Sequence, residues 1–132
     1  MSDRDFVQPE KLSKPLGNWT PAVVVRRGTL VFVSGLTSRD EQGEVAHVGD
    51  IRGQTRQICE NLRSALQSVG GDLSDVVSVL VHVTDVGEFD AIHEVRREFF
   101  PENPPASTMV EVPRLVDERS LIEITAIAAL PD

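Results

Sequence analysis

From Asp50 to Val69 the apolar residues of this chain recur every three or four positions. After Gly70-Gly71 they alternate every second position. Ile51, Thr55, Ile58, Leu62, Ala65, Leu66 and Val69 put one apolar stripe along a helix. Asp50 is suited to cap its start, and the two glycines to stop it. In "DVVSVLVHVTD", Val77, Val79, Val81 and Val83 share one face of a strand, while Ser78, Leu80, His82 and Thr84 share the other. A long amphipathic helix followed by a one-sided strand demands a layered core, with helix on sheet.

The remaining elements fit that demand. "PAVVVRRG" and "TLVFVSGL" are β-branched runs that read as a hairpin turning at Gly28. Ser34-Gly35 ends the second run, and Gly35 lets another group approach the backbone closely. A second helix is expected from about Glu88 to Phe100. Phe89, Ile92, Val95 or Arg96, and Phe99 line one side, and Pro101 and "NPP" end it. "STMVEVPRL" and "SLIEITAIAAL" are the last two strands, joined by the polar turn "VDERS". The expectation is an α+β two-layer sandwich, with two helices on one face of a mixed or antiparallel sheet. Residues 1–132 form one domain, and residues 1–18 form an N-terminal arm over its surface. The uncovered sheet face is rich in Val, Ile and Ala, which predicts oligomerisation.

Composition narrows the function classes. The net charge is −8, from 13 basic and 21 acidic residues, which disfavours a phosphate-binding surface. No apolar run approaches the roughly 18 residues that span a bilayer, and the charged N-terminal stretch lacks a secretion signal core. Nucleic acid and membrane are therefore not expected partners, and the cytoplasm is the expected location. With a single cysteine, Cys59, there is no intrachain disulfide and no Cys-based zinc site. Cys59 lies beside the helix stripe, where a packed thiol is the default. His47, His82 and His93 lack metal-ligand spacing, so no metal is expected.

Taken together, "FVSG", "QTRQICENLRSALQSVGGDLSDVVSVLVHVTDVGEFDAIHEVRREFFPENPPAST", "VEVPRL" and "IEITAIA" resemble the RidA/YjgF family over about residues 16 to 130. The resemblance implies a chorismate-mutase-like fold: a six-stranded sheet with two helices on one face, and three copies closing a central barrel as a homotrimer. It implies clefts between subunits that bind small carboxylates. It also implies hydrolysis of enamines or imines to a carbonyl compound and ammonia, without metal or cofactor.

Carried over residue by residue, the resemblance makes Glu123, in "IEI", the group that holds the attacking water, and Ser34 a cleft serine. In the family pattern a strand begins Pro-Ala-Arg-Ser/Thr; here it is Pro105-Ala106-Ser107-Thr108. Ser107 thus stands where a carboxylate-binding Arg is expected, and Met109 where Cys is frequent. Trp19 replaces a usual tyrosine, His93 a common asparagine, and Arg96 a common aromatic. His93 and Arg96 lie three residues apart on one helix face. They are candidates for the positive charge missing at Ser107, His93 by titrating near neutrality. Trp19, Ser34, His93, Arg96, Ser107, Thr108 and Met109 are the candidate substrate-binding residues, with Glu123 catalytic. Two readings stand: a hydrolase for a substrate other than the usual 2-imino acids, or a non-catalytic trimeric binding module. Endoribonuclease, a third label attached to relatives, is disfavoured by the acidic balance.

Overall fold

Asp50 does cap the first helix: its carboxylate accepts a hydrogen bond from the Gly53 N–H at 3.0 Å. This helix, α1 (Ile51–Gln67), ends where Gly71 N–H bonds back to the Leu66 carbonyl, with Gly70 at a φ of 85°. Val69 lies past that end and is exposed. The computed structural model describes residues 2–132. The strands are β1 (Arg4–Val7), β2 (Ala22–Val25), β3 (Thr29–Leu36), β4 (Val76–Val83), β5 (Ala106–Glu111) and β6 (Ile122–Leu130). The second helix, α2 (Phe89–Phe99), joins β4 to β5.

The α+β class and the mixed sheet hold. The main sheet has the order β3-β6-β4-β5; β6 is antiparallel to both neighbours and β4 is parallel to β5. A parallel pair needs a long crossover, which α2 supplies. Two expectations are corrected. The runs around Gly28 do not pair as a hairpin: β2 pairs with β1 from the N-terminal arm, and β3 pairs with β6. The six strands are thus divided into a two-stranded ribbon and a four-stranded sheet. Gly28 does take a positive φ, 126°, and any side chain there would collide with the Leu130 carbonyl. That turn delivers β3 onto β6, where Val31 and Val33 pack against the core. The pull of that core outweighs the local tendency of two adjacent strands to pair.

The alternation in β4 decides where the core lies. Val79, Val81 and Val83 face the helices together with Ile122, Ile124, Ala126 and Ala128 of β6. Ile58, Leu62 and Leu66 of α1, Ile92 of α2, and Phe100 close the layer from above. Each fully buried aliphatic side chain contributes roughly 1.5–3 kcal/mol. The opposite sheet face is left open. Phe32 is 72% exposed, Leu80 40% and Val110 39%.

One polar side chain ties the layers together. Gln54 of α1 is fully buried; its amide donates to the carbonyls of His47 and Arg119 and accepts from the Leu121 N–H. It anchors the chain just before β6, and so fixes the position from which Glu123 projects. Replacing it with leucine keeps the volume but removes the partner of three part-buried backbone groups. Gln54→Leu is expected to lower unfolding free energy by about 2–4 kcal/mol, measured by urea denaturation; a loss under about 1 kcal/mol would contradict this role.

Candidate functional site

Ile122 and Ile124 face the core, so alternation sends Glu123 to the open face of the sheet. Its ladder partner on β4 is His82. On the other side lies Gly35 of β3, where the strand register breaks between Val33 and Leu36. A Cβ at Gly35 would sit 2.7 Å from the Glu123 carboxyl carbon. The close approach expected at Gly35 is therefore made by Glu123, whose carboxylate lies against bare backbone. His82 Nδ1 is 3.8 Å from Glu123 Oε1, too far for a hydrogen bond, and is buried without a partner. Ser34 is exposed beside this break. A carboxylate, an imidazole and a hydroxyl thus share one face of the sheet. Thr108, also exposed, shares that face, since it pairs with Leu80.

A second group forms on the helix side, around the start of β5. Ser107 is the ladder partner of Val79, a core residue, so it faces α2. Arg96 of α2 donates to Ser107 Oγ at 3.1 Å and to the Asn18 carbonyl at 2.9 Å. The two positions paired in the sequence argument are thus in direct contact. Burial pulls the Arg96 guanidinium down to about 10, so it remains a cation at neutral pH.

His93 takes a different part from the one expected. Its Nδ1 accepts a hydrogen bond from the Asn18 N–H at 2.8 Å, which places the ring proton on Nε2. Burial, reinforced by Arg96 and then Arg97, pushes the ring down to about 3. His93 is therefore neutral and supplies no positive charge. Trp19 completes an aromatic group with it: Phe89 lies 4.2 Å from His93 and 6.0 Å from Trp19, centroid to centroid. Gly17 fits between the Trp19 and His93 rings, where a Cβ would have no room. Met109 packs half-buried against the core.

Asn18, absent from the sequence-based candidates, organises this group. Its amide donates to the Phe100 carbonyl, its N–H to His93, and its carbonyl accepts from Arg96. Its Oδ1 is buried without a partner. His82 carries no site signal in the sequence, where it is one histidine among valines; only the register of β4 on β6 brings it to Glu123.

The two groups are on opposite faces of the sheet. Ser107 and Glu123 are also two strands apart, roughly 10 Å across the ladder. Two surface depressions lie beside the sheet, the second reaching Leu36 next to Gly35. One, of about 160 Å³, is lined by Gly49, Ile51, Thr84, Asp85, Glu88 and Leu121. The other, of about 670 Å³, lies against Arg39, Gln57 and Glu60.

The neutral state of His93 has a thermodynamic consequence. Its folded value lies below the ordinary 6.5, so the unfolded chain takes up the proton first. Its contribution is complete above about pH 6.5 and is lost as pH falls toward 3, at about 1.4 kcal/mol per unit. In His93→Asn the amide oxygen can still accept from Asn18. Urea midpoints between pH 7 and 5 are expected to fall less steeply for this variant than for the parent; parallel slopes would contradict the buried neutral ring.

Comparison with known proteins places these features in a family. The family model described as Endoribonuclease L-PSP matches residues 10–130. A 3-aminoacrylate deaminase, RutC, from Acinetobacter baylyi is 37% identical over 125 residues, covering 95% of this chain and 97% of that protein. A RutC family protein from Pyrococcus abyssi is 40% identical over 126 residues, covering 95% and 96%. Among solved structures, the Rid-family protein YyfB from Yersinia pestis superposes with a TM-score of 0.90 at 26% identity, covering 98% of this chain and 100% of that one.

Proposed function

Because the chain belongs to the Endoribonuclease L-PSP family, the RidA/YjgF proteins, we propose that it is a deaminase-type hydrolase. Its substrate is a small enamine or imine bearing a carboxylate, and its products are a carbonyl compound and ammonia. The observation that carries this reading is Glu123, an acid held against the bare backbone of Gly35 on an exposed sheet face. The 37% identity to a 3-aminoacrylate deaminase supports it.

The chemistry is simple to balance. An enamine takes a proton on carbon to become an iminium, whose carbon is electrophilic. Water adds there and gives up a proton to Glu123, acting as general base. The protonated Glu123 passes that proton to the carbinolamine nitrogen, ammonia leaves, and the hydroxyl proton goes to solvent as the carbonyl forms. No step in this sequence calls for a metal or an organic cofactor.

The cleft is proposed to lie between protomers of a homotrimer. A small substrate cannot reach Glu123 and Ser107 of one chain, because they lie on opposite faces. Closing three open faces into a barrel would cover Phe32, Leu80 and Val110. A native mass near three chains is expected, and Phe32→Asp is expected to shift it to the monomer; a wild-type monomer at micromolar concentration would remove the barrel. The acidic charge of −8 weighs against RNA as the substrate.

Activity is tested with freshly generated 3-aminoacrylate, 2-aminoacrylate, 2-iminobutyrate and aminomuconate, following ammonia release. At least one should be accelerated, with 3-aminoacrylate favoured over the 2-imino acids. Glu123→Ala is expected to lower the rate by about 10²–10⁴-fold. Gly35→Ala, which pushes the carboxylate aside, should lower it as well. If no substrate is accelerated, the chain is a binding module rather than a hydrolase.

A further inference from the structure

Arg96 is the largest fully buried side chain among the described residues, at 1% exposure. Its hydrogen-bond partners are neutral: the Ser107 hydroxyl and the Asn18 carbonyl. Among the described residues no carboxylate pairs with it, and the one ionisable group that favours its charge is the Cys59 thiol. That thiol is itself buried and pushed up to about 12, so it carries no negative charge at neutral pH. Buried guanidinium groups are ordinarily matched by an acid, because an isolated charge away from water is costly. Here the positive charge stands uncompensated behind β5.

In front of it stands Ser107, half-buried on an edge strand. A hydroxyl has one proton and two acceptor sites. Since Arg96 donates to Ser107 Oγ, an acceptor site is occupied and the hydroxyl proton remains free to be donated outward. A nearby cation strengthens such a donor and favours an anionic acceptor. Asn18 holds the guanidinium from its other side and is itself fixed by His93 and the Phe100 carbonyl. The cation therefore cannot swing away from Ser107 without breaking that group.

We propose that Arg96 is a specificity-determining residue that acts through Ser107: the serine hydroxyl binds one oxygen of a small carboxylate ligand, and the buried guanidinium supplies the balancing charge. Arg96 does not touch the ligand. Its effect is selection for an anion over a neutral group of the same shape. The proposal rests on the deaminase reading for the ligand class, a short-chain carboxylate.

The test compares pyruvate with pyruvamide, binding to the intact protein by titration calorimetry. The wild type is expected to prefer pyruvate. In Arg96→Gln, pyruvate should weaken about 10- to 100-fold, whereas pyruvamide should change less than about 3-fold. Arg96→Lys should retain the preference. Ser107→Ala, a truncation at the strand edge, should lose it with Arg96 still in place. Thermal unfolding of each variant separates lost selectivity from lost structure. A wild type without preference, variants that keep it, or equal losses for both ligands in both variants would each overturn the proposal. Charge selectivity with no turnover of any enamine would uphold this inference and remove the deaminase reading. Turnover without charge selectivity would do the reverse.

Discussion

The antiparallel pairing of β6 with β4 is the contact from which the rest of the molecule follows. Each strand places valine, isoleucine or alanine on one face and mixed residues on the other, and the register keeps the two apolar faces together. A slip of one residue would turn Val79, Val81 and Val83 outward and bury Ser78, Leu80 and His82. The helices then have only one surface to cover. α1 lies over β3 and β6, and α2 packs on α1 while carrying the crossover to β5.

This one-sided arrangement distributes the chemistry. Glu123 and His82 occupy the same strands as the core, but on the uncovered face, where an acid and an imidazole remain within reach of solvent. Ser107 occupies the covered face, and there it meets α2. Arg96 could be buried because two hydrogen-bond acceptors were available beneath the helix, one from β5 and one from the segment before β2. The same segment supplies Trp19, which closes against Phe89 and His93. The N-terminal stretch is therefore more than a surface arm: β1 pairs with β2, and Asn18 is embedded between α2 and the chain leading into β5.

Much of the fold was legible because local signals and tertiary demand agreed. The stripe of Ile58, Leu62 and Leu66, the Asp50 cap and the Gly70 stop describe α1 from its own residues alone. The valine alternation of β4 identifies its core face in the same way. Local signals mislead where the deciding partner is distant in sequence. The runs on either side of Gly28 have the composition of a hairpin, yet β3 finds more burial on β6. His93 carries the same side chain whether it titrates or not. Only its burial and the donor at Asn18 N hold it neutral.

The sequence by itself determined the element types, the core faces and the family, because these rest on periodicity, caps and a long run of matching residues. It also singled out Ser107 and Arg96 as candidate site residues. Tertiary structure alone decided that these two residues touch, that Asn18 joins them, and that Glu123 faces His82 from the opposite side of the sheet. Such contacts depend on strand register and on helix placement across long sequence separations. No local pattern encodes a distance between residues that only the folded core brings together.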